Sequence, residues 1–125
     1  MTDSFRSPAG APTTKARTAT LRPLGDGEPI TLVVNQPLIL GRGSADPAVG
    51  RLLAAFGDVS REHTEVTLGE DGTARIVDME STCGTFVAGK RLGPGRPSVI
   101  DLPAKIRLGG QCYLTLVGDP ASGER

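Results

Sequence analysis

Tryptophan is absent from this 125-residue chain, and aromatic residues make up only 3% of it. Histidine occurs once, at His63, so nothing resembles a metal cage or a His-rich catalytic helix. Cysteine occurs twice, at Cys83 and Cys112, which is too few for a disulfide framework. Net charge is also missing: 14 basic residues balance 14 acidic ones. A general nucleic-acid binder should be basic, so that class is set aside, although a locally basic site remains compatible. No apolar run approaches the ~18 residues of a membrane span. The N-terminus lacks the apolar core of a secretory signal. These absences together predict a reduced, cytoplasmic protein with no membrane partner.

What the chain does have is turn material, with 17 glycines and 10 prolines. Frequent turns between short strands produce that mix. Residues 1–17 hold Ser, Thr, Pro, Ala and Gly with few large apolar side chains, and read as a flexible tail. Residues 18–118 read as one domain, and 119–125 as a flexible end. Ten short strands are expected: 20–24, 30–34, 38–42, 64–68, 74–78, 85–87, 90–92, 99–102, 105–108 and 111–117. Their spacing predicts an all-β, antiparallel sandwich. One segment breaks the rhythm. Residues 47–56 place Val49, Leu52, Leu53 and Phe56 at helical spacing, with Pro47 to open a helix and Gly57 to close it. Its expected role is to cap one end of the core.

Small polar and basic clusters sit at breaks between the apolar runs. They are Gly41-Arg42, Ser60-Arg61-Glu62-His63 and Ser81-Thr82-Cys83-Gly84-Thr85. Guanidinium and hydroxyl groups gathered at one end of a sandwich suit a dianionic phosphate. In this order and spacing, the three clusters resemble those of a forkhead-associated (FHA) domain, over roughly residues 20–117. The resemblance implies a β-sandwich of about eleven strands that binds phosphothreonine peptides, without catalysis and without a cofactor or metal. The implied activity is that of an adaptor module in Ser/Thr kinase signalling, with a phosphothreonine protein or peptide as partner.

Phosphothreonine carries about −1.5 to −2 charges near neutral pH and three strong acceptor oxygens. Arg42 offers a planar, permanently charged fork for that group. The bland alternative pairs Arg42 with Asp46. By resemblance, Ser60 donates its hydroxyl to the phosphate, Arg61 adds a second cationic or backbone contact, and Thr82 contributes a hydroxyl or amide. Gly41, Ser81 and Gly84 are expected to shape the loops. The resemblance makes His63 a buried brace across them; the competing reading couples it to Ser60 or Cys83 as a general base.

Three positions depart from the family pattern. Cys83 stands where an asparagine usually grips the peptide backbone, and a thiol is a poor donor and acceptor. Weakened or altered peptide binding is therefore expected. Ala88-Gly89 replaces a common Asn-Gly, and alanine tolerates positive φ poorly, so another turn type is expected there. Gly110 stands where aspartate often follows Leu-Gly.

Two other functions stay open. An FHA-like scaffold could dock a protein without phosphate, with Cys83 as its main support. A small Ser or Cys hydrolase is the third reading. The tail's Thr2, Thr13, Thr14, Thr18 and Thr20 also raise the idea that a phosphorylated tail occupies the chain's own pocket.

Overall fold

A computed structural model describes residues 17–25 and 27–119. Ten strands and one helix follow in chain order. They are β1 (Thr18–Pro23), β2 (Ile30–Val33), β3 (Leu38–Leu40), α1 (Pro47–Leu53), β4 (Thr64–Leu68), β5 (Thr73–Asp78), β6 (Thr85–Val87), β7 (Lys90–Arg91), β8 (Ser98–Asp101), β9 (Ala104–Leu108) and β10 (Cys112–Gly118). This is one strand fewer, among the described residues, than the FHA resemblance implies.

Period-two alternation drives the layering. β4 buries Thr64, Val66 and Leu68, and β9 buries Ala104, Ile106 and Leu108. β10 buries Cys112, Leu114 and Leu116. Successive side chains on a strand point to opposite faces, so each strand gives one set to the core. Two antiparallel sheets result. One has six strands in the order β2-β1-β10-β9-β6-β7, and the other four in the order β3-β4-β5-β8. Leu21, Leu32, Leu40, Leu68, Ile76 and Leu116 interleave between them at 0–2% exposure.

The helix is shorter than the spacing predicts. Asp46 accepts from the amides of Ala48 (2.9 Å) and Val49 (3.2 Å), with Pro47 opening the first turn. The C-cap is Ala54, and the Phe56 amide turns back to the Leu53 carbonyl at 3.0 Å. Gly57 therefore lies beyond the helix rather than closing it. Val49 and Leu53 are buried, and Leu52 and Phe56 pack against the core. The apolar face points inward, as expected of an end cap.

The β6–β7 hairpin corrects a second expectation. The pairs Phe86↔Arg91 and Val87↔Lys90 leave a two-residue loop. Ala88 and Gly89 have φ of 50° and 84°. Two positive φ values belong to a type I′ turn, which matches strand twist. The alanine thus adopts the left-handed conformation instead of forcing another turn.

Thr18 and Thr20 lie on β1 rather than in a tail, and their hydroxyls donate to Asp119 at 2.8 Å each. Thr2, Thr13 and Thr14, together with most of the expected tail, fall outside the described residues. Among the described residues, no helix is long and apolar enough to cross a membrane.

Candidate functional site

Three connections meet at one end of the sandwich. The first runs from β3 to β4 and carries α1, the second joins β5 to β6, and the third is the β9–β10 turn. Backbone hydrogen bonds stitch the first connection to itself. The Arg42 amide donates to the Ser60 carbonyl (3.1 Å), the Gly43 amide to the Arg61 carbonyl (3.0 Å), and the His63 amide to the Leu40 carbonyl (3.0 Å). Gly41 permits this closeness. A Cβ there would overlap the Arg61 carbonyl and come within 3.0 Å of the Glu62 Cα.

Arg42 is exposed, but its Nε donates to the Val59 carbonyl at 2.5 Å. That bond fixes the guanidinium plane and leaves Nη1 and Nη2 for another acceptor. No ion pair joins Arg42 to Asp46, whose carboxylate caps α1. The Arg61 side chain lies against Gly43, where an added Cβ would meet its Cβ at 3.3 Å and its Cζ at 3.4 Å.

The second connection joins the first through Ser60. Its Oγ accepts from the Thr82 amide at 3.3 Å, so its hydroxyl proton is still available to an outside acceptor. Arg42, Ser60 and Thr82 are thus brought together by direct bonds. Thr82 and Cys83 are both exposed beside them.

His63 spans the two connections at 0% exposure. Its Nδ1 accepts from the Ser60 amide at 2.9 Å, and its Nε2 lies 2.7 Å from the Gly84 carbonyl. Because Nδ1 accepts, Nε2 carries the proton and donates it to Gly84. Both ring nitrogens are therefore occupied by backbone groups. Gly84 has φ of +90°, a conformation that aims its carbonyl at both His63 and the Gly109 amide (2.9 Å).

Sequence reasoning missed the hub beneath these loops. Asp78 is 1% exposed at the end of β5. It accepts from the Ser81 hydroxyl (2.5 Å), the Ser81 amide (3.2 Å) and the Thr85 hydroxyl (2.7 Å). Since Thr85 spends its one proton on Asp78, the Thr64 hydroxyl donates to Thr85 at 2.6 Å. The Ser81 Oγ in turn accepts from the Gly84 amide at 3.0 Å. A buried charge needs this many partners. The available signal was an aspartate three residues before a serine at a strand end. The third connection has a similar device. Asp58 accepts from the Gly110 amide at 2.7 Å, so a carboxylate from the first connection serves the turn where Gly110 brings none.

The comparisons with known proteins agree with this architecture. No curated protein matches the sequence. Solved FHA structures do. One, from a study of phosphothreonine-dependent FHA domain interactions, is 28% identical with a TM-score of 0.64, over 82% of this chain and 98% of the other. The FhaA FHA domain, complexed with the intracellular domain of Rv3910, is 25% identical with a TM-score of 0.60, over 78% and 98%. The N-terminal FHA domain of S. cerevisiae Rad53p, in complex with a phosphothreonine peptide, shares the fold at a TM-score of 0.67 and 19% identity, over 82% and 94%. The FHA domain family model matches residues 38–109, which include all three polar clusters and the His63 brace that joins them. With the sandwich and the looped end in place, this chain belongs to the FHA domain family.

Proposed function

We propose that the chain is a phosphothreonine-peptide-binding adaptor module in Ser/Thr kinase signalling. The observation that carries this reading is the bonded set of Arg42, Ser60 and Thr82. One guanidinium with free Nη atoms, one hydroxyl proton and one exchangeable amide converge at adjoining loop tips. A phosphate oxygen can replace the 3.3 Å contact between Thr82 and Ser60, taking a donor from each. Arg61 supplies further positive charge beside the site. The Rad53p FHA domain, whose structure holds a phosphothreonine peptide, and the FHA domain studied for phosphothreonine-dependent interactions support the same ligand class.

FHA domains are recognition modules, and we read this chain as a module without enzymatic activity. Both His63 ring nitrogens are bonded to backbone groups, which supports a bracing role over that of a general base for Ser60 or Cys83. The cellular site in this reading is the cytoplasm, where kinase products are found. One observation favours a second reading. Cys83 is exposed where a peptide-gripping amide is usual, so a phosphate-independent docking role is the alternative.

The experiment is calorimetric titration with a phosphothreonine peptide, its phosphoserine counterpart and the unphosphorylated peptide. Binding of the first, lost in Arg42→Ala, supports the proposal. Equal binding of phosphorylated and unphosphorylated peptides supports the scaffold reading instead.

A further inference from the structure

The outer face of the six-stranded sheet carries side chains that the phosphate-binding reading does not use. The alternation that buries Ile106 and Leu114 turns Lys105, Arg107 and Tyr113 outward. Register then sets Tyr113 opposite Arg107, Arg107 opposite Phe86, and Phe86 opposite Arg91. One row across four strands therefore reads aromatic, cation, aromatic, cation. The Arg107 guanidinium lies 3.9 Å from the Phe86 ring centroid and 6.0 Å from that of Tyr113. Its Nη1 is held by the Gly109 carbonyl at 2.7 Å. Further along the same face, Arg22, Thr115 and Lys105 form a second row.

A cleft of about 540 Å³ opens over these rows. A second cleft, of about 440 Å³, meets it at Pro23, Leu24 and Tyr113 and runs on to Leu52 and Phe56 beside α1. The shared ridge is unusually bare: Leu24 is 78% exposed and Tyr113 50%. Among the described residues, charge on the larger cleft has one sign: Arg22, Lys105 and Arg107 line it, and no Asp or Glu does. Arg22, Arg91, Lys105 and Arg107 make no ion pair among the described residues. In a chain of zero formal net charge, no acidic group among the described residues pairs with the positive charge of this face.

We propose that this face docks an acidic segment of a protein partner, anchored by an aliphatic side chain against Pro23, Leu24 and Tyr113. Carboxylates on the segment complement the Arg22–Lys105 row, and the aliphatic anchor covers the exposed ridge. A nucleic acid fits less well. Its bases need open aromatic faces, and Arg107 already covers Phe86. The most exposed side chain on the ridge is the aliphatic Leu24, at 78% against 50% for Tyr113. This docking face is separate from the Arg42 loops, so the two sites can be tested apart.

The test uses the full chain and a short fluorescein-labelled peptide of alternating glutamates and leucines. The controls are a lysine–leucine peptide and an oligothymidylate. Anisotropy reports affinity, and ¹⁵N amide shifts report the location. The glutamate peptide should bind, with shifts at residues 22–24, 105–107 and 113. Arg22→Glu combined with Lys105→Glu should weaken it about tenfold or more, and raised salt should act in the same direction. Leu24→Ser, which leaves the charges in place, should also weaken it. Arg42→Ala should leave it unchanged. Thermal unfolding of each variant checks that the sheet is intact. Failure of the glutamate peptide to bind, shifts confined to the 41–44 and 60–62 loops, or binding of the oligothymidylate alone would overturn the proposal.

Discussion

The Ser60 amide donates to the His63 Nδ1 at 2.9 Å, so backbone and ring are locked within four residues of chain. The same ring donates on its other side to Gly84. His63 thereby sets the separation of the two loops that carry Ser60 and Thr82. His63→Ala should lose one buried and one part-buried hydrogen bond and leave a cavity, costing about 2–4 kcal/mol of stability. Urea unfolding measures that loss. With p-nitrophenyl acetate, neither Ser60→Ala nor Cys83→Ala should change the background hydrolysis rate. A rate that drops in either variant would revive the hydrolase reading.

Arg42 is expected to resist conservative replacement. Its Nε bond to the Val59 carbonyl aims the guanidinium, and lysine has no atom for that bond. Arg42→Ala should weaken phosphothreonine-peptide binding by about 2–3 kcal/mol, roughly 30- to 150-fold. Arg42→Lys should recover only part of this. Titration at two salt concentrations checks the result, because the wild-type affinity should fall with salt more steeply than that of Arg42→Ala.

Cys83 gives a prediction of the opposite sign. Its exposed thiol supplies neither the strong donor nor the acceptor that a side-chain amide offers to a peptide backbone. Cys83→Asn should tighten phosphopeptide binding by about 1–2 kcal/mol, roughly five- to thirty-fold. No gain in calorimetry would mean that the bound peptide runs elsewhere.

The strands were legible because alternation and turn residues are local. β4 and β6 fall where the pattern puts them, at 64–68 and 85–87. The end of α1 was not legible. Ala54 and Ala55 suit a helix, but the chain turns at Leu53, and Val59 reaches the core beyond that turn. The polar clusters were visible as residue types at loop positions. Asp78 was not, because a strand-ending aspartate reads as turn chemistry until its three donors are seen in space. The aromatic–cation row was also hidden. It depends on β9 lying between β10 and β6, and β6–β9 neighbours are far apart in sequence.

Ala88 holds φ of 50° in the type I′ turn, and alanine pays for that conformation through its Cβ. Asparagine adopts it more readily. Ala88→Asn should therefore stabilise the fold by about 0.5–1 kcal/mol, raising Tm by a few degrees. Scanning calorimetry checks this. Ala88→Val, which adds a β-branch at positive φ, should lower Tm instead.

Cys112 predicts how stability changes in alkali. Burial, and second the negative charge of Asp58, pushes its thiol from 9.0 up to about 12. Below pH 9 the thiol is protonated in both folded and unfolded chains, and its contribution is fully present. Between about 9 and 12 the unfolded chain releases this proton while the folded one retains it. The unfolded state then binds fewer protons, so stability falls as pH rises, with a slope of at most about 1.4 kcal/mol per pH unit. Cys112→Ala should be less stable than wild type at pH 7, by about 1 kcal/mol, since the side chain is 1% exposed. It should also lose stability more slowly between pH 9 and 10.5. Urea midpoints for both proteins across that range decide the matter: parallel declines would show that the buried thiol is not the group responsible.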